Sequence, residues 1–315
     1  MNVRWGFLGA GWIARTALAP AVHAASGADL VAVASRDEQR SRALEPQRVH
    51  TSYQELLEDP DIDAVYISLA NNQHLEWALK SLTAGKHVLC EKPLTLNVDQ
   101  TDSLIAAARD TDLLLVEATW SRWHPRFQRL QSLARSGALG NIQWVDAAFT
   151  FTGDHRDNYR AQRDMGGGAL LDVGCYLVHS LVAAIGPEFR ADVRDMQQDM
   201  GYDHVDLTTR FRIHAGITEM TGVASIFMPE EQRLSVRGSE DTVSMHQGQA
   251  FTSWCAPSTL KIGEQIETFP AVDAYELMVE AVSERIQGSD AWVIPLEETR
   301  TVADCLDRLE DFGDD

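Results

Sequence analysis

Two glycines, at positions 9 and 11, constrain this chain more than any other feature because of what flanks them. Val3 to Leu8 is a short apolar run that reads as a strand, and Ile13 to Ala25 has the spacing and alanine content of a helix. Gly9-Ala10-Gly11-Trp12-Ile13-Ala14 therefore joins strand to helix, and Asp29 to Ser35 follows as a second β-branched strand. The result is a βαβ unit of about thirty residues. In that setting each small residue has its own task. Gly9 allows the tight turn, Gly11 lets backbone approach a pyrophosphate, and Ala14 lets helix and strand pack closely. The helix N-terminus, with Trp12 and Ile13 in its opening segment, presents N–H donors to phosphate. The competing interpretation is a glycine-rich turn that binds nothing.

The end of the second strand bears on which dinucleotide such a site would take. A carboxylate there accepts the ribose 2′-hydroxyl of NAD, whereas the 2′-phosphate of NADP needs a cation and a small donor. This chain has Ser35-Arg36-Asp37, with Arg40 and Arg42 following. Ser35, Arg36 and Arg40 favour NADP, and Asp37 keeps NAD open. A solvated strand-end charge is the plainer interpretation of Arg36.

Alternating strand and helix signals continue through the first half, as a doubly wound parallel sheet requires. The pattern predicts helices at Tyr53–Glu58, His74–Ala84 and Asn97–Arg109, and strands at Ile62–Ser68, Val88–Cys90 and Leu113–Ala118. Ala70-Asn71-Asn72-Gln73-His74 and Glu91-Lys92-Pro93 then fall at carboxyl ends of parallel strands, where such sheets bind ligands. A lysine ending an apolar strand can also simply reach solvent.

From Phe127 the signals change. Ile142–Thr152, Leu207–His214, Ile217–Phe227, Gln232–Gly238 and Thr242–Gln247 read as strands of an open, mostly antiparallel sheet. Ala274–Gln287 and Leu296–Phe312 read as amphipathic helices returning toward the nucleotide domain. The expectation is an α/β chain of two domains, a Rossmann domain over 1–122 and an α+β domain over 123–315. The last helix would pack back on the first domain, and only Asp311–Asp315 would stay loose. An open sheet face wants a partner, so a homodimer or higher homo-oligomer is expected.

Composition narrows the function classes. A net charge of −20 argues against nucleic acid and anionic membrane surfaces, whose phosphates it would repel. A few local arginines still suffice for a phosphorylated cofactor, since charges are screened over about 8 Å in physiological salt. Polar residues lead straight into the first strand, and no apolar run suggests a membrane span, so a cytoplasmic protein is expected. Cys90, Cys175, Cys255 and Cys305 are widely spaced, which suits reduced thiols and predicts no metal site.

The run Gly166-Gly167-Gly168-Ala169-Leu170-Leu171-Asp172-Val173-Gly174-Cys175-Tyr176 carries an internal argument. At about 100° per residue, Asp172, Tyr176 and His179 fall within roughly 60° of one another on a helix. Leu170, Val173, Leu177 and Leu181 would form a separate apolar surface, and the glycines would let backbone run close to a ligand. A core tyrosine bonded to Asp172 is the structural alternative.

These elements together resemble the glucose-fructose oxidoreductase, inositol dehydrogenase and rhizopine-catabolism family of NAD(P)-dependent oxidoreductases, over nearly the whole chain. The resemblance rests on the N-terminal glycine motif, on Asn71 and His74 in an N-x-x-H element, on Glu91-Lys92-Pro93, and on the Gly166 to Tyr176 run. Ala70 stands where the family usually has proline. The resemblance implies that Ala70, Asn71, His74, Glu91, Lys92 and Pro93 border the cofactor and that the Lys92–Pro93 bond is cis. It implies that Lys92 faces nicotinamide and substrate, that Tyr176 exchanges the proton of the reacting oxygen with Lys92 lowering its pKa, and that Asp172 holds substrate hydroxyls or the lysine. His179 would be a substrate contact or a neighbour of one. Glu117-Ala118-Thr119-Trp120-Ser121-Arg122-Trp123-His124-Pro125 resembles an element of the dihydrodiol and D-xylose dehydrogenase branch, which implies Trp120, Arg122 and His124 on the substrate side. A hinge packed by the two tryptophans is the alternative. The implied activity is hydride transfer to or from a sugar or cyclic diol. A 1,5-anhydrofructose-type ketose reductase, an inositol dehydrogenase and a non-catalytic NADP-binding sensor remain as alternatives, and Tyr176 in place of histidine counts against the inositol branch.

Overall fold

The computed structural model describes residues 1–153, 158–245 and 249–314. They form two compact units, one of Met1–Thr95, Asp99–Trp123 and Asp273–Leu296, the other of Leu96–Val98, His124–Val272 and Glu297–Asp315. The first unit also takes the stretch 273–296, so the helix that joins it is the penultimate one, while 297–315 groups with the second unit.

In the first unit, among the described residues, strands β1 (Val3–Leu8), β2 (Ala28–Ala34), β3 (Arg48–His50), β4 (Ala64–Ile67), β5 (His87–Cys90) and β6 (Leu115–Glu117) form one parallel sheet in the order β3-β2-β1-β4-β5-β6. The order reverses between β1 and β4, so a crevice opens at the carboxyl ends of these two strands. A parallel sheet covered on both faces needs apolar side chains all along its strands. Trp5, Phe7, Leu8, Val65, Tyr66 and Ile67 are accordingly fully buried. Helices α1 (Ala19–Ala24), α2 (Glu38–Arg42), α3 (Tyr53–Glu58), α4 (His74–Thr83) and α5 (Val98–Thr111) complete the alternation. The expected helix over Ile13–Ala25 opens as a wider π turn at Ala14–Leu18 before α1. Pro20 explains the widening, since it has no N–H for the carbonyl four residues back.

The second unit is built on a sheet of eight strands among the described residues: β7 (Ile142–Thr150), β8 (Asp192–Met200), β9 (Asp206–Ala215), β10 (Thr218–Ser225), β11 (Glu231–Gly238), β12 (Thr242–Ser244), β13 (Ser258–Ile262) and β14 (Gln265–Phe269). Their order is β14-β13-β12-β11-β7-β10-β9-β8, with β7 and β10 parallel and the other pairs antiparallel. Strand alternation sorts the faces: Val145, Ala147, Met220, Ala224, Leu234 and Val236 are buried, while Trp144, Asp146, Thr221, Val223 and Arg233 are half-buried. The expected strand at Thr242–Gln247 ends at Ser244, and residues 246 and 247 lie outside the described residues.

Helices α6 (Pro125–Arg135) and α7 (Cys175–Ile185) belong to this unit, as does α9 (Leu296–Asp314) from Glu297 onward, whereas α8 (Ala274–Ile286) belongs to the first. The helical stretch Arg163–Ile185 has the length and mean hydropathy, 1.7, to cross a membrane, contrary to the expectation that no such run exists. Its most apolar window is 94% buried within the protein, the mark of a core helix. The acidic tail is also more ordered than expected. Helix α9 continues to Asp314 because Gly313 lies close against the Met196 and Gln198 side chains of β8.

Candidate functional site

At the carboxyl end of β1, Gly9 has φ +100°, a conformation open to glycine and strained for other residues. A Cβ there would stand 2.6 Å from the Ser68 carbonyl oxygen beyond β4. Gly11 is less crowded, and Trp12 is 62% exposed. Ala10, Gly11, Trp12, Arg15, Asp37, Gln39, Arg40 and Ala43 line a cleft of about 440 Å³. Ile13 and Ala14 continue from it into the π turn, Ala14 wholly buried.

The carboxylate that left NAD open has another task. Asp37 caps α2, its Oδ1 accepting the N–H groups of Gln39 at 2.9 Å and Arg40 at 3.1 Å, while Oδ2 lies 3.5 Å from Arg40 Nε. Ser35 Oγ donates to the Asp37 carbonyl at 2.7 Å and meets Ser41 Oγ at 2.8 Å. Arg42 is tied to Glu38, whereas Arg40 extends largely into solvent at the mouth of the cleft. Arg36 is exposed. A strand end with exposed cations and a carboxylate already accepting two N–H groups suits a 2′-phosphate better than a 2′-hydroxyl.

At the end of β5 the Lys92–Pro93 bond is cis, as the resemblance implied. Lys92 is half-buried. Its neighbours are braced from several sides. Glu91 faces inward: Tyr66 donates to its Oε1 at 2.7 Å and the Lys92 N–H to Oε2 at 3.3 Å. Burial raises the Glu91 pKa, with the Lys92 charge opposing, and burial with Glu91 raises Tyr66 well above the usual phenol range. Glu117, at the end of β6, accepts the Leu94 N–H at 3.0 Å. His74 is fully buried, its Nδ1 lying 2.9 Å from the Pro93 carbonyl and its Nε2 3.2 Å from that of Leu69. Burial lowers its pKa, the Pro93 and Leu69 carbonyls oppose that shift, and the Lys92 charge adds to it. Asn71 is buried at the start of the turn that leads from Ala70 into α4.

Trp120, Arg122 and His124, expected on the substrate side, are 3%, 0% and 2% exposed. Trp120 stacks on Tyr275 with ring centroids 5.6 Å apart, and the Arg122 guanidinium lies over Trp292. His124 caps α6, its Nδ1 accepting the Arg126 N–H at 3.1 Å, and burial pushes its pKa down to about 4. All three side chains thus make packing or capping contacts in the interior.

In the second unit, Asp172 and Tyr176 are 4% and 6% exposed and His179 is fully buried. The expected division of this helix into a polar and an apolar face does not hold. Leu170–Gly174 forms a π turn, so spacing at 100° per residue does not carry through it, and α7 is buried on every side. Tyr176 packs edge-on to Phe149, centroids 5.6 Å apart, and tilted against Phe251 at 6.0 Å. Asp172 is held by Arg160, whose Nε donates to Oδ2 at 2.7 Å. Burial opposes the Arg160 charge, yet Asp172 keeps its pKa well above the ordinary value.

Tyr66 beside Glu91 in the first unit, and Arg160 and Asp206 in the second, were absent from the residues singled out in the sequence. The triple glycine was the available signal. It permits close backbone approach, but to protein groups: a Cβ on Gly167 would lie 2.5 Å from the Arg160 carbonyl oxygen, and one on Gly168 would overlap the Asp206 carboxylate.

Comparison with known proteins gives this geometry a context. Residues 3–119 match the model of the oxidoreductase family with an NAD-binding Rossmann fold, and residues 127–244 match that of the GFO/IDH/MocA C-terminal domain. The chain is 31% identical to D-xylose 1-dehydrogenase (NADP(+)) 2 of Haloferax volcanii, over 97% of this chain and 95% of that one. It is 30% identical to a trans-1,2-dihydrobenzene-1,2-diol dehydrogenase of Bos taurus, over 98% and 96% respectively. The crystal structure of KijD10, a 3-ketoreductase from Actinomadura kijaniata in complex with NADP and TDP-benzene, is similar with a TM-score of 0.89 at 27% identity, covering 99% of this chain and 98% of that one.

Proposed function

This chain belongs to the GFO/IDH/MocA family of NAD(P)-binding oxidoreductases, and from that premise we propose that it transfers hydride between an NADP nicotinamide and an alcohol or hemiacetal carbon of a sugar or cyclic diol. The observation that carries the proposal is the pairing, at carboxyl ends of strands in one parallel sheet, of the Gly9 to Ala14 backbone cradle with Lys92. The nicotinamide, when bound, supplies the hydride acceptor or donor. Gly9, Gly11 and the N–H groups that follow receive the pyrophosphate, and Arg40 with Arg36 receives the 2′-phosphate. Asp37, on the same cleft, is already engaged as the cap of α2.

Lys92 and Tyr176 are the groups that would handle the proton of the reacting hydroxyl. Asp172, oriented by Arg160, takes a hydrogen bond from a substrate hydroxyl. The relatives named for a sugar and for a diol support that substrate class. The protein acts in the cytoplasm as a homodimer joined through the half-buried face of the eight-stranded sheet, where Trp144, Thr221 and Val223 stand.

The test is NADP⁺ reduction, followed by nicotinamide absorbance, against a panel of aldoses including D-xylose, cyclic diols and inositols, with NADPH and NADH titrated by fluorescence. Turnover on an aldose or diol with tighter binding of NADPH is the expected result. Tight NADPH binding without turnover on any compound would favour a sensor, and binding of neither nucleotide would overturn the proposal.

A further inference from the structure

We propose that Asp206 is a positioning residue, whose carboxylate holds the first turn of the helix carrying Asp172 and Tyr176 in its working geometry. The inference rests on the roles just given to those two side chains and adds what fixes them. Asp206 opens β9 and is 9% exposed. Its Oδ2 accepts the Leu170 N–H at 2.8 Å and the Thr209 hydroxyl at 2.5 Å, and the N–H groups of Ala169 and of Asp206 itself also stabilise its charge. Gly168, at φ +114°, leaves the space that the carboxylate fills. Gly168 is at the same time the hinge of the turn: its N–H donates to the Arg160 carbonyl at 3.0 Å, and its carbonyl accepts the Asp172 N–H at 3.0 Å. One residue therefore links the Asp206 carboxylate, the backbone of Arg160 and the position of Asp172, while the Arg160 guanidinium grips the Asp172 side chain.

Every donor to Asp206 among the described residues is neutral. The ionisable groups around it are Arg163, His204 and Glu310, which line the same cleft of about 240 Å³. Beyond them stand Asp203, which accepts the Arg163 N–H at 3.0 Å, the Asp199–Arg210 pair on β8 and β9, and the Arg160–Asp172 pair on the helix side. Burial pushes the Asp206 pKa up to about 6, against the hydrogen bonds that favour its charge. The sign matters for the test. An acid whose folded pKa is raised weakens the fold as pH climbs from the ordinary carboxylate value to about 6, because the native state must give up a proton it favours. A group whose ionisation opposes stability, yet is the form that accepts four donors, contributes geometry rather than stability.

The experiment compares wild type with Asp206→Asn, Thr209→Val and Thr209→Ser by hydrogen exchange of the Gly168–Tyr176 amides across pH, thermal midpoint, and turnover with NADP⁺ on the panel above. In Asp206→Asn, exchange at Leu170–Val173 is expected to accelerate about tenfold and kcat to fall by about ten- to a hundredfold, with NADP⁺ KM and thermal midpoint held. The wild-type rate loses activity below pH about 6. Thr209→Val, which removes a donor to the charged form, moves that limb upward, and Thr209→Ser leaves it in place. Unchanged exchange in Asp206→Asn would overturn the proposal, and so would a fall in thermal midpoint parallel to the fall in kcat, the sign of a merely structural acid. The exchange measurement needs no substrate, so a chain inactive on the whole panel would defeat the proposed function while Asp206 is still decided.

Discussion

Asp59 and Asp206 are both buried aspartates, one in each unit, and their surroundings push them in opposite directions. Asp59 accepts both arms of the Arg48 guanidinium at 2.7 Å, His50 Nε2 at 2.8 Å and the Asp61 N–H at 2.9 Å. Burial opposes its charge, but Arg48 and these partners hold it at about 2. Asp206 has hydrogen bonds and, among the described residues, no bonded cation, and sits at about 6. The difference separates two uses of an internal carboxylate. One neutralised by a guanidinium anchors the strand and turn around it, and its ionisation adds stability. One surrounded by neutral donors at a helix start subtracts stability when ionised and keeps a turn in place. Asp172 stands between these cases, charged beside Arg160 yet assigned to substrate.

The contrast is broken or sharpened most strongly at Asp172. Asp172→Asn is expected to lower turnover by at least about a hundredfold with the fold intact, checked by kcat alongside circular dichroism. Asp59→Asn should do the reverse, costing about 2 kcal/mol at neutral pH with turnover per folded molecule unchanged, checked by urea unfolding. The sign follows from the lowered pKa: the stabilisation is full above the ordinary carboxylate value and fades as pH falls toward about 2, so variant and wild type converge in acid. An exposed charge provides the next contrast. Arg40→Ala is expected to weaken NADPH binding roughly tenfold and NADH binding hardly at all, read by fluorescence titration. The smallest effect belongs to Tyr66→Phe, which removes the hydroxyl from Glu91 and should cost about 1 kcal/mol, read by urea unfolding.

The first unit was the more legible in sequence because both of its periodicities are strong. The helix at Tyr53–Glu58 and the strand at Val3–Leu8 begin and end where the pattern placed them, and Gly9 lies at the predicted turn. Helix α6 went unseen because its cap is the Nδ1 of a buried histidine, outside the short polar residues that usually mark a helix start. Strand β8 went unseen because it is an edge strand with no fully buried residue, so Asp192–Met200 lacks the alternation that identifies a strand. At the candidate site, Lys92, Asp172 and Tyr176 stood out because motifs surround them. Arg160 and Asp206 did not, since each meets the helix through tertiary contacts that no local spacing encodes. Trp120, Arg122 and His124 carry two readings in sequence, because aromatic and basic side chains suit sugars and the same chemistry fills a packed interior.

The most direct test of the account is the turnover of Lys92→Met on the best sugar or diol of the panel, at saturating NADP⁺, with NADPH affinity measured on the same sample. The account predicts a loss of about a hundredfold or more in kcat while NADPH binds as it does to wild type. Turnover near the wild-type rate would remove Lys92 from the proton transfer and with it the proposed mechanism.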